Sequence, residues 1–204
     1  MTPIIPEHWF DPIANALSHT GYSILDQVLP TELVTALRIK AQTLGQADYQ
    51  PAHIGRHHRH RNTTLRQDHI CWLSPHHPPD QHYLQAMEQL RYELNRRLFL
   101  GLFDYESHYA HYAPGAYYQK HRDVFVQPPV TRIVTTLLYL NPGWPVDAGG
   151  ELRLYAPDGE AVLELISPLE GRLVLFLSAP FPHEVLPARR DRYSIAGWFR
   201  NHAP

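Results

Sequence analysis

An imidazole and a carboxylate stand two residues apart in Lys120-His121-Arg122-Asp123. In an extended strand, residues i and i+2 point to the same face, so these two side chains can converge on one metal ion. Alone, the pair says little. A chain of 204 residues with 15 histidines supplies such a spacing by chance, and a salt-bridged surface pair accounts for it as well.

A second histidine adds to it. His183 lies in Pro180-Phe-Pro-His-Glu-Val-Leu-Pro187, just after the apolar run Leu173 to Leu177. Two histidines and one carboxylate on one face of an octahedral ion leave the other positions open, which suits non-haem Fe(II) oxygen chemistry. His183 by itself reads equally as a hydrogen-bonded structural residue. Arg192 shifts the balance. It and His183 are symmetric about the Pro187–Ala188 junction, so an antiparallel hairpin is expected to set them opposite each other. A guanidinium there can grip the far carboxylate of a dicarboxylic cosubstrate in a bidentate fork. Ser194, on the same face of that strand, can add a hydrogen bond.

These residues need a scaffold. The first third of the chain reads as helical, with short strands between. Asp11-Pro12 is expected to open a helix that Gly21 ends, with Asp as cap and Pro in the first position. Thr31 is expected to cap a second helix, with Leu33, Val34, Leu37, Ala41 and Leu44 on one face. A third helix is expected from Asp80, with Leu84, Met87, Leu90, Leu94 and Leu98 on its stripe, ending at Gly101. These stripes are core faces. From about residue 103 the period falls to two. Strands are expected at Phe103–Tyr112, Thr131–Leu140, Glu151–Tyr155, Val162–Ile166, Arg172–Leu177 and Tyr193–Phe199, with Gly-containing turns between. Many short strands with regular turns point to a sandwich or a barrel-like jelly roll, its outer face covered by the helices.

Composition narrows the field further. Eighteen Lys+Arg against 20 Asp+Glu leave a formal charge of -2, so no global basic field draws nucleic acid. A single cysteine, Cys71, excludes an internal disulfide framework and a multi-cysteine zinc site. The apolar runs are too short to span a bilayer. The start, Met1-Thr-Pro-Ile-Ile-Pro, lacks the basic and apolar regions of a secretory signal, so a cytoplasmic, single-domain protein over 1–204 is expected.

The order and spacing of several segments resemble a known family, the Fe(II)- and 2-oxoglutarate-dependent dioxygenases. Within it they resemble the prolyl hydroxylases of the hypoxia-inducible-factor type and their bacterial relatives. The matching pieces are His121-Arg-Asp123, Leu138-Tyr139-Leu140-Asn141, Gly149-Gly150-Glu-Leu-Arg-Leu and Gly171-Arg-Leu-Val-Leu-Phe-Leu-Ser178. Pro182-His183-Glu-Val-Leu-Pro187-Ala and Arg192-Tyr-Ser-Ile-Ala-Gly-Trp198-Phe follow. The resemblance implies a mainly β, α+β fold: a double-stranded β-helix (a cupin-like jelly roll) over 103–200, on a helix-rich support over 1–100. It implies His121, Asp123 and His183 as iron ligands. Arg192 and the Tyr139 hydroxyl would bind the far carboxylate of 2-oxoglutarate, and Tyr112 would be an active-site hydroxyl.

Upstream, Arg66-Gln67-Asp68 and Trp72 resemble the Arg-Gly-Asp…Trp segment beside the family's substrate groove, with Gln67 in place of glycine. The resemblance implies an Asp68–Arg132 ion pair and a groove lined by Arg66, Asp68, Trp72, Arg132 and Trp198. Trp198 reads equally as a core tryptophan. Arg132 and Tyr139 are an odd number of residues apart and fall on opposite faces of a regular strand, so a bulge or a frayed end is required. The His/Arg-rich stretch His53 to Arg61 falls where the family has a mobile substrate loop, about 53–66, and reads as a solvated, partly basic loop.

The activity implied consumes dioxygen and 2-oxoglutarate, releases succinate and CO2, and places a hydroxyl on an unactivated C–H bond, with ascorbate in support. The partner implied is a protein with a target proline. Bacterial members of this branch are associated with the translation factor Tu, the leading candidate. The alternatives are hydroxylation of a free amino acid or other small molecule, or a non-catalytic β-sandwich that only binds. A zinc hydrolase lacks its His-Glu-x-x-His helix here, and a nucleic-acid oxygenase lacks a basic, aromatic face outside 56–61.

Overall fold

The computed structural model describes residues 3–45, 48–52, 64–124 and 130–202. The His/Arg-rich stretch at 53–61, and most of the loop expected at 53–66, lie outside the described residues.

Three helices, α1 (Phe10–His19), α2 (Thr31–Thr43) and α3 (Pro78–Leu98), back a seven-stranded antiparallel sheet. Its order is β1-β9-β6-β11-β4-β3-β2, made of β1 (Tyr22–Asp26), β9 (Arg172–Leu177), β6 (Val130–Tyr139), β11 (Arg192–His202), β4 (Asp104–Tyr112), β3 (His69–Trp72) and β2 (Gln50–Pro51). A four-stranded sheet, β5-β10-β7-β8, comprises β5 (Tyr118–His121), β10 (His183–Val185), β7 (Leu152–Tyr155) and β8 (Val162–Ile166). No helix among the described residues is long and apolar enough to cross a membrane.

Strand alternation sorts the core. In β9, Leu173 and Leu175 pack with helical Phe10, Leu17, Leu37 and Leu90, while Val174 and Phe176 pack with Leu152, Leu154 and Val185 of the small sheet. Every second residue of a strand faces the same way, so the large sheet is buried on both faces: helices outside, the second sheet inside. The same parity in β11 turns Ile195 and Phe199 to the helices. Arg192, Ser194, Ala196 and Trp198 turn inward, into a cavity between the sheets.

Several expectations need correcting. Asp11 does not cap α1, which begins at Phe10 after a 3-10 turn at Glu7–Trp9; the Asp11 carboxylate instead accepts from Arg97 Nε at 2.7 Å. Thr31 is the first residue of α2 behind Pro30 and makes no capping bond. The third helix starts at Pro78, since proline is tolerated in a first turn whose N–H has no helical partner. Asp80, inside that turn, is fully buried and accepts from Lys40 Nζ (2.6 Å), the Tyr109 hydroxyl (2.7 Å) and the Ser74 N–H (2.9 Å). It pins the helical layer to β4.

No hairpin joins His183 to Arg192. β10 pairs with β5 and β7, whereas β11 pairs with β4 and β6, so the two residues belong to different sheets. The chain between them is already committed: Pro187 O accepts from the Gly150 N–H (3.0 Å), and the Arg189 N–H donates to Ala148 O (2.8 Å). Nor does Asp123 share a strand with His121. β5 stops at His121, and Asp123 follows it in an irregular segment.

Two bulges set the inward faces. In β6, Val134 faces Phe199 and Arg132 faces Arg200, leaving Ile133 as an extra residue. The odd step from Tyr139 to Arg132 is thereby absorbed, and Arg132, Thr135 and Leu137 all line the cavity. In β5, Tyr118 faces Val185 and His121 faces His183, so two residues of β5 stand against one of β10. This second bulge turns Tyr118 and His121 toward each other.

Candidate active site

His121, Asp123 and His183 converge, with all three ligand atoms within 4.8 Å of one another. Asp123 Oδ1 is 3.6 Å from His121 Nε2, and Oδ2 is 3.4 Å from His183 Nε2. Both imidazoles hold carbonyls with their far nitrogens: His121 Nδ1 with Gln119 O (2.8 Å) and His183 Nδ1 with Phe181 O (3.2 Å). That contact makes Nδ1 the donor and leaves the Nε2 lone pairs free for an ion, the usual support of metal-bound histidine. Burial, then the nearby His183, lowers the pKa of His121. Burial alone would raise that of Asp123, but His183 and His121 hold it well below the usual carboxylate range. A lowered pKa at His121 beside an ionised Asp123 favours metal binding, which needs its ligands deprotonated.

A buried relay orients the carboxylate. Thr135 Oγ1 donates to Asp123 Oδ2 at 3.0 Å and lies 2.9 Å from Ser178 Oγ. An ionised carboxylate only accepts, so the Thr135 proton points to Asp123 and Ser178 must donate to Thr135. Thr135→Val keeps the shape and removes the donor. It is expected to weaken Mn(II) binding about 10- to 100-fold, read by metal titration, and Thr135→Ser is expected to restore it.

Across the cavity, Arg192 is 1% exposed, and no carboxylate lies within ion-pair distance of it among the described residues. Its Nε donates to Gly150 O (2.8 Å) and its Nη1 reaches Ser194 Oγ (3.4 Å). Nη2 and the Tyr139 hydroxyl are both buried without a hydrogen-bond partner among the described residues. Leaving a guanidinium buried and uncompensated costs several kcal/mol, so this pair is built for an anion from outside. Gly149 and Gly150 make the room. A side chain on Gly150, at φ +76°, would meet Ala188 Cβ at 2.9 Å and Arg192 Cδ at 3.3 Å. The donor set fits a divalent first-row metal with a dicarboxylic cosubstrate: ligands on one side, an unsatisfied donor pair on the other. Tyr112 joins them, its ring 5.0 Å from the Arg192 guanidinium and its hydroxyl kept protonated by burial.

On the third side, Arg66, Asp68, Arg132 and Trp198 line the same cavity. Their pairing differs from expectation. Asp68 is gripped in a fork by Arg66 (2.6 and 2.9 Å), and Arg132 is held by Glu106 (2.9 Å). Two residues of spacing put Arg66 within reach of Asp68, and Glu106 on β4 reaches Arg132 first. Arg132 stays 4.0 Å from Asp123 and lies 3.5 Å over the Trp198 ring, whose Nε1 is buried without an acceptor among the described residues. Trp72 lies outside the cavity lining, half-exposed, with its ring against His108. His108 does line the cavity; burial holds its pKa down to about 4, so it is neutral.

Four residues of this site escape a reading of motifs: Thr135, Ser178, His108 and Tyr118. Thr135 had a signal, since it precedes Tyr139 by four and so shares its face of β6. Ser178 closes a matching segment but offers no chemistry until Thr135 is beside it.

Comparison with known proteins agrees with this geometry. The family profile of the 2OG-Fe(II) oxygenase superfamily matches residues 107–200. A prolyl-4-hydroxylase from Pseudomonas putida superposes with a TM-score of 0.85 at 40% identity, over 94% of this chain and 98% of that one. A prolyl hydroxylase from Trichoplax adhaerens, solved in complex with a hypoxia-inducible-factor peptide fragment, gives 0.84 at 28% identity, over 95% and 89%. Human Egl nine homolog 1 is 43% identical over 70 residues, which are 33% of this chain and only 16% of that protein. The chain belongs to the 2OG-Fe(II) oxygenase superfamily, a family of dioxygenases whose members need Fe(II), 2-oxoglutarate and dioxygen. Its mainly β architecture is their double-stranded β-helix, and it is similar over nearly its whole length to bacterial and hypoxia-inducible-factor-type prolyl hydroxylases.

Proposed function

We propose that this protein hydroxylates a prolyl residue of a protein, using Fe(II) and 2-oxoglutarate and releasing succinate and CO2, with the translation factor Tu in the cytoplasm as the leading substrate. The observation that carries the reading is the pairing of a His-Asp-His cluster with a buried guanidinium nitrogen, Arg192 Nη2, and a buried tyrosyl hydroxyl that both lack hydrogen-bond partners among the described residues. Likeness to prolyl hydroxylases supports the proline; Tu is what the motif resemblance to the family's bacterial members implies.

In this reading His121, Asp123 and His183 hold the iron, and the Thr135–Ser178 relay keeps Asp123 aimed at it. Arg192 and Tyr139 grip the far carboxylate of 2-oxoglutarate, which orients its other end toward the three ligands. Iron with 2-oxoglutarate and dioxygen supplies the oxidising power, and the protein supplies position and a dry cavity. Ala110, Leu137, Leu152 and Val185 line that cavity and exclude water. Arg66, Asp68, Arg132 and Trp198 line the side left to the polypeptide. No charged general base is required, and His108, whose pKa burial holds down to about 4, is only a weak base.

The test is mass spectrometry of Tu from the same cell, incubated with the protein, Fe(II), 2-oxoglutarate and air. One added oxygen on a proline, absent with His183→Ala, is the expected result. Succinate without a modified Tu would move the activity to another substrate, protein or small molecule. Neither product would leave a binding module.

A further inference from the structure

The stretch that carries Arg66 and Asp68 is built into the support of the candidate iron ligand. Residues 65–67 run along the open edge of β5: Arg66 forms a β-bridge with Tyr118, the Gln67 N–H donates to Tyr117 O (3.1 Å), and the Gln119 N–H donates to Leu65 O (2.9 Å). A few residues on, the same stretch enters β3 and pairs with β4 in the other sheet. It straps the two sheets together beside the cavity.

His121 is held through this strap in two ways. The carbonyl that fixes its Nδ1 belongs to Gln119, whose N–H and side-chain amide bond Leu65 O and Thr64 O. Its ring lies flat on Tyr118, with centroids 3.6 Å apart and planes 14° apart. The Arg66 guanidinium also lies over the Tyr118 ring, at 4.7 Å, while its fork holds the buried Asp68. Residues 118 and 121 share a side only because β5 is bulged between them.

We infer that Tyr118 is a positioning residue for His121, and that Arg66 acts on the metal site through it. The inference rests on the iron-site reading above. Arg66 touches none of the three ligands, yet the stack Arg66–Tyr118–His121 runs from the wall read as the substrate's to the wall read as the iron's. A polypeptide that engages Arg66 or Asp68 then changes how firmly His121 is held, and by reciprocity metal binding changes the affinity for the polypeptide.

Co(II) titration of the purified full chain, followed by absorbance, tests this without turnover, with His183→Ala as the control for the site. Tyr118→Leu is expected to bind Co(II) about tenfold more weakly or worse, the size of other losses of ligand support. Tyr118→Phe keeps the ring and is expected to stay within about twofold. Arg66→Lys keeps the charge but loses the flat fork. It is expected to weaken Co(II) about threefold in the wild-type background and to add nothing in Tyr118→Leu, the non-additivity of residues acting in series. Unchanged affinity in a folded Tyr118→Leu would overturn the inference and leave the iron site standing. So would an equal effect of Arg66→Lys in both backgrounds. If Tyr118→Leu does not fold, Arg66→Lys decides alone, and unchanged affinity there is the contrary result. A wild type that binds no Co(II) would overturn the iron-site reading, and this inference with it.

Discussion

Turnover in His183→Ala and Asp123→Ala is expected to fall to background while the fold is retained. Losing a group that merely supports a metal ligand costs about 10- to 100-fold, and losing the ligand itself exceeds that. The fold survives because the three groups hang on few structural bonds. Besides its contacts with Asp123 and the His121 ring within the cluster, His183 contributes one side-chain bond, from Nδ1 to Phe181 O, and a ring edge against Phe176. Asp123 sits beyond the end of β5 and closes no ladder. The expected cost to stability is about 1–3 kcal/mol for either, within the range of ordinary buried substitutions. Succinate release and circular dichroism, measured side by side, separate the two effects. Activity surviving in a folded variant would remove the iron assignment.

The second large effect belongs to Arg192→Ala. Truncating one partner of a buried, hydrogen-bonded charge pair costs about 2–5 kcal/mol, so the KM for 2-oxoglutarate is expected to rise about 30-fold or more. The KM for the polypeptide is expected to move by less than about threefold, because Arg192 shares no hydrogen bond with the Arg66–Asp68 pair: it donates to Gly150 O, while Arg66 and Asp68 bond each other. Arg192→Lys is not a rescue. Lysine keeps a charge but cannot donate to Gly150 O and fork a carboxylate together. Initial rates with each substrate varied in turn give both constants, and an equal rise in the two would end the assignment of Arg192 to the cosubstrate.

Much of this protein is legible in its residues. Period-three and period-four stripes mark α2 and α3, because a half-buried helix must show its core face at the period of its own backbone, and short runs of strand-forming residues bounded by turn residues mark β4, β6, β9 and β11. The metal-ligand types and the inward-facing Arg192 are legible too, since few other tasks want them. The starts of α1 and α3 are not legible at Asp11 and Asp80, and α2 starts at Thr31 without the capping bond its residue type suggests. Local cap chemistry competes with tertiary ion pairs there, and Arg97 and Lys40 claimed two of those side chains.

The remainder belongs to the tertiary structure. His183 and Arg192 look like hairpin partners, yet they face each other from different sheets, because pairing with 148–150 takes up the chain between them. Asp68 and Arg132 look like each other's partners, yet Arg66 and Glu106 hold them. The bulges at Ile133 and in β5 decide which way Arg132 and Tyr118 face, and no composition or period announces a bulge. Residue types, strand parity and the order of motifs determined which groups this protein brings to its chemistry. Which neighbour each group finds is a property of two sheets closing on each other, where the nearest charge in space, not along the chain, takes the bond.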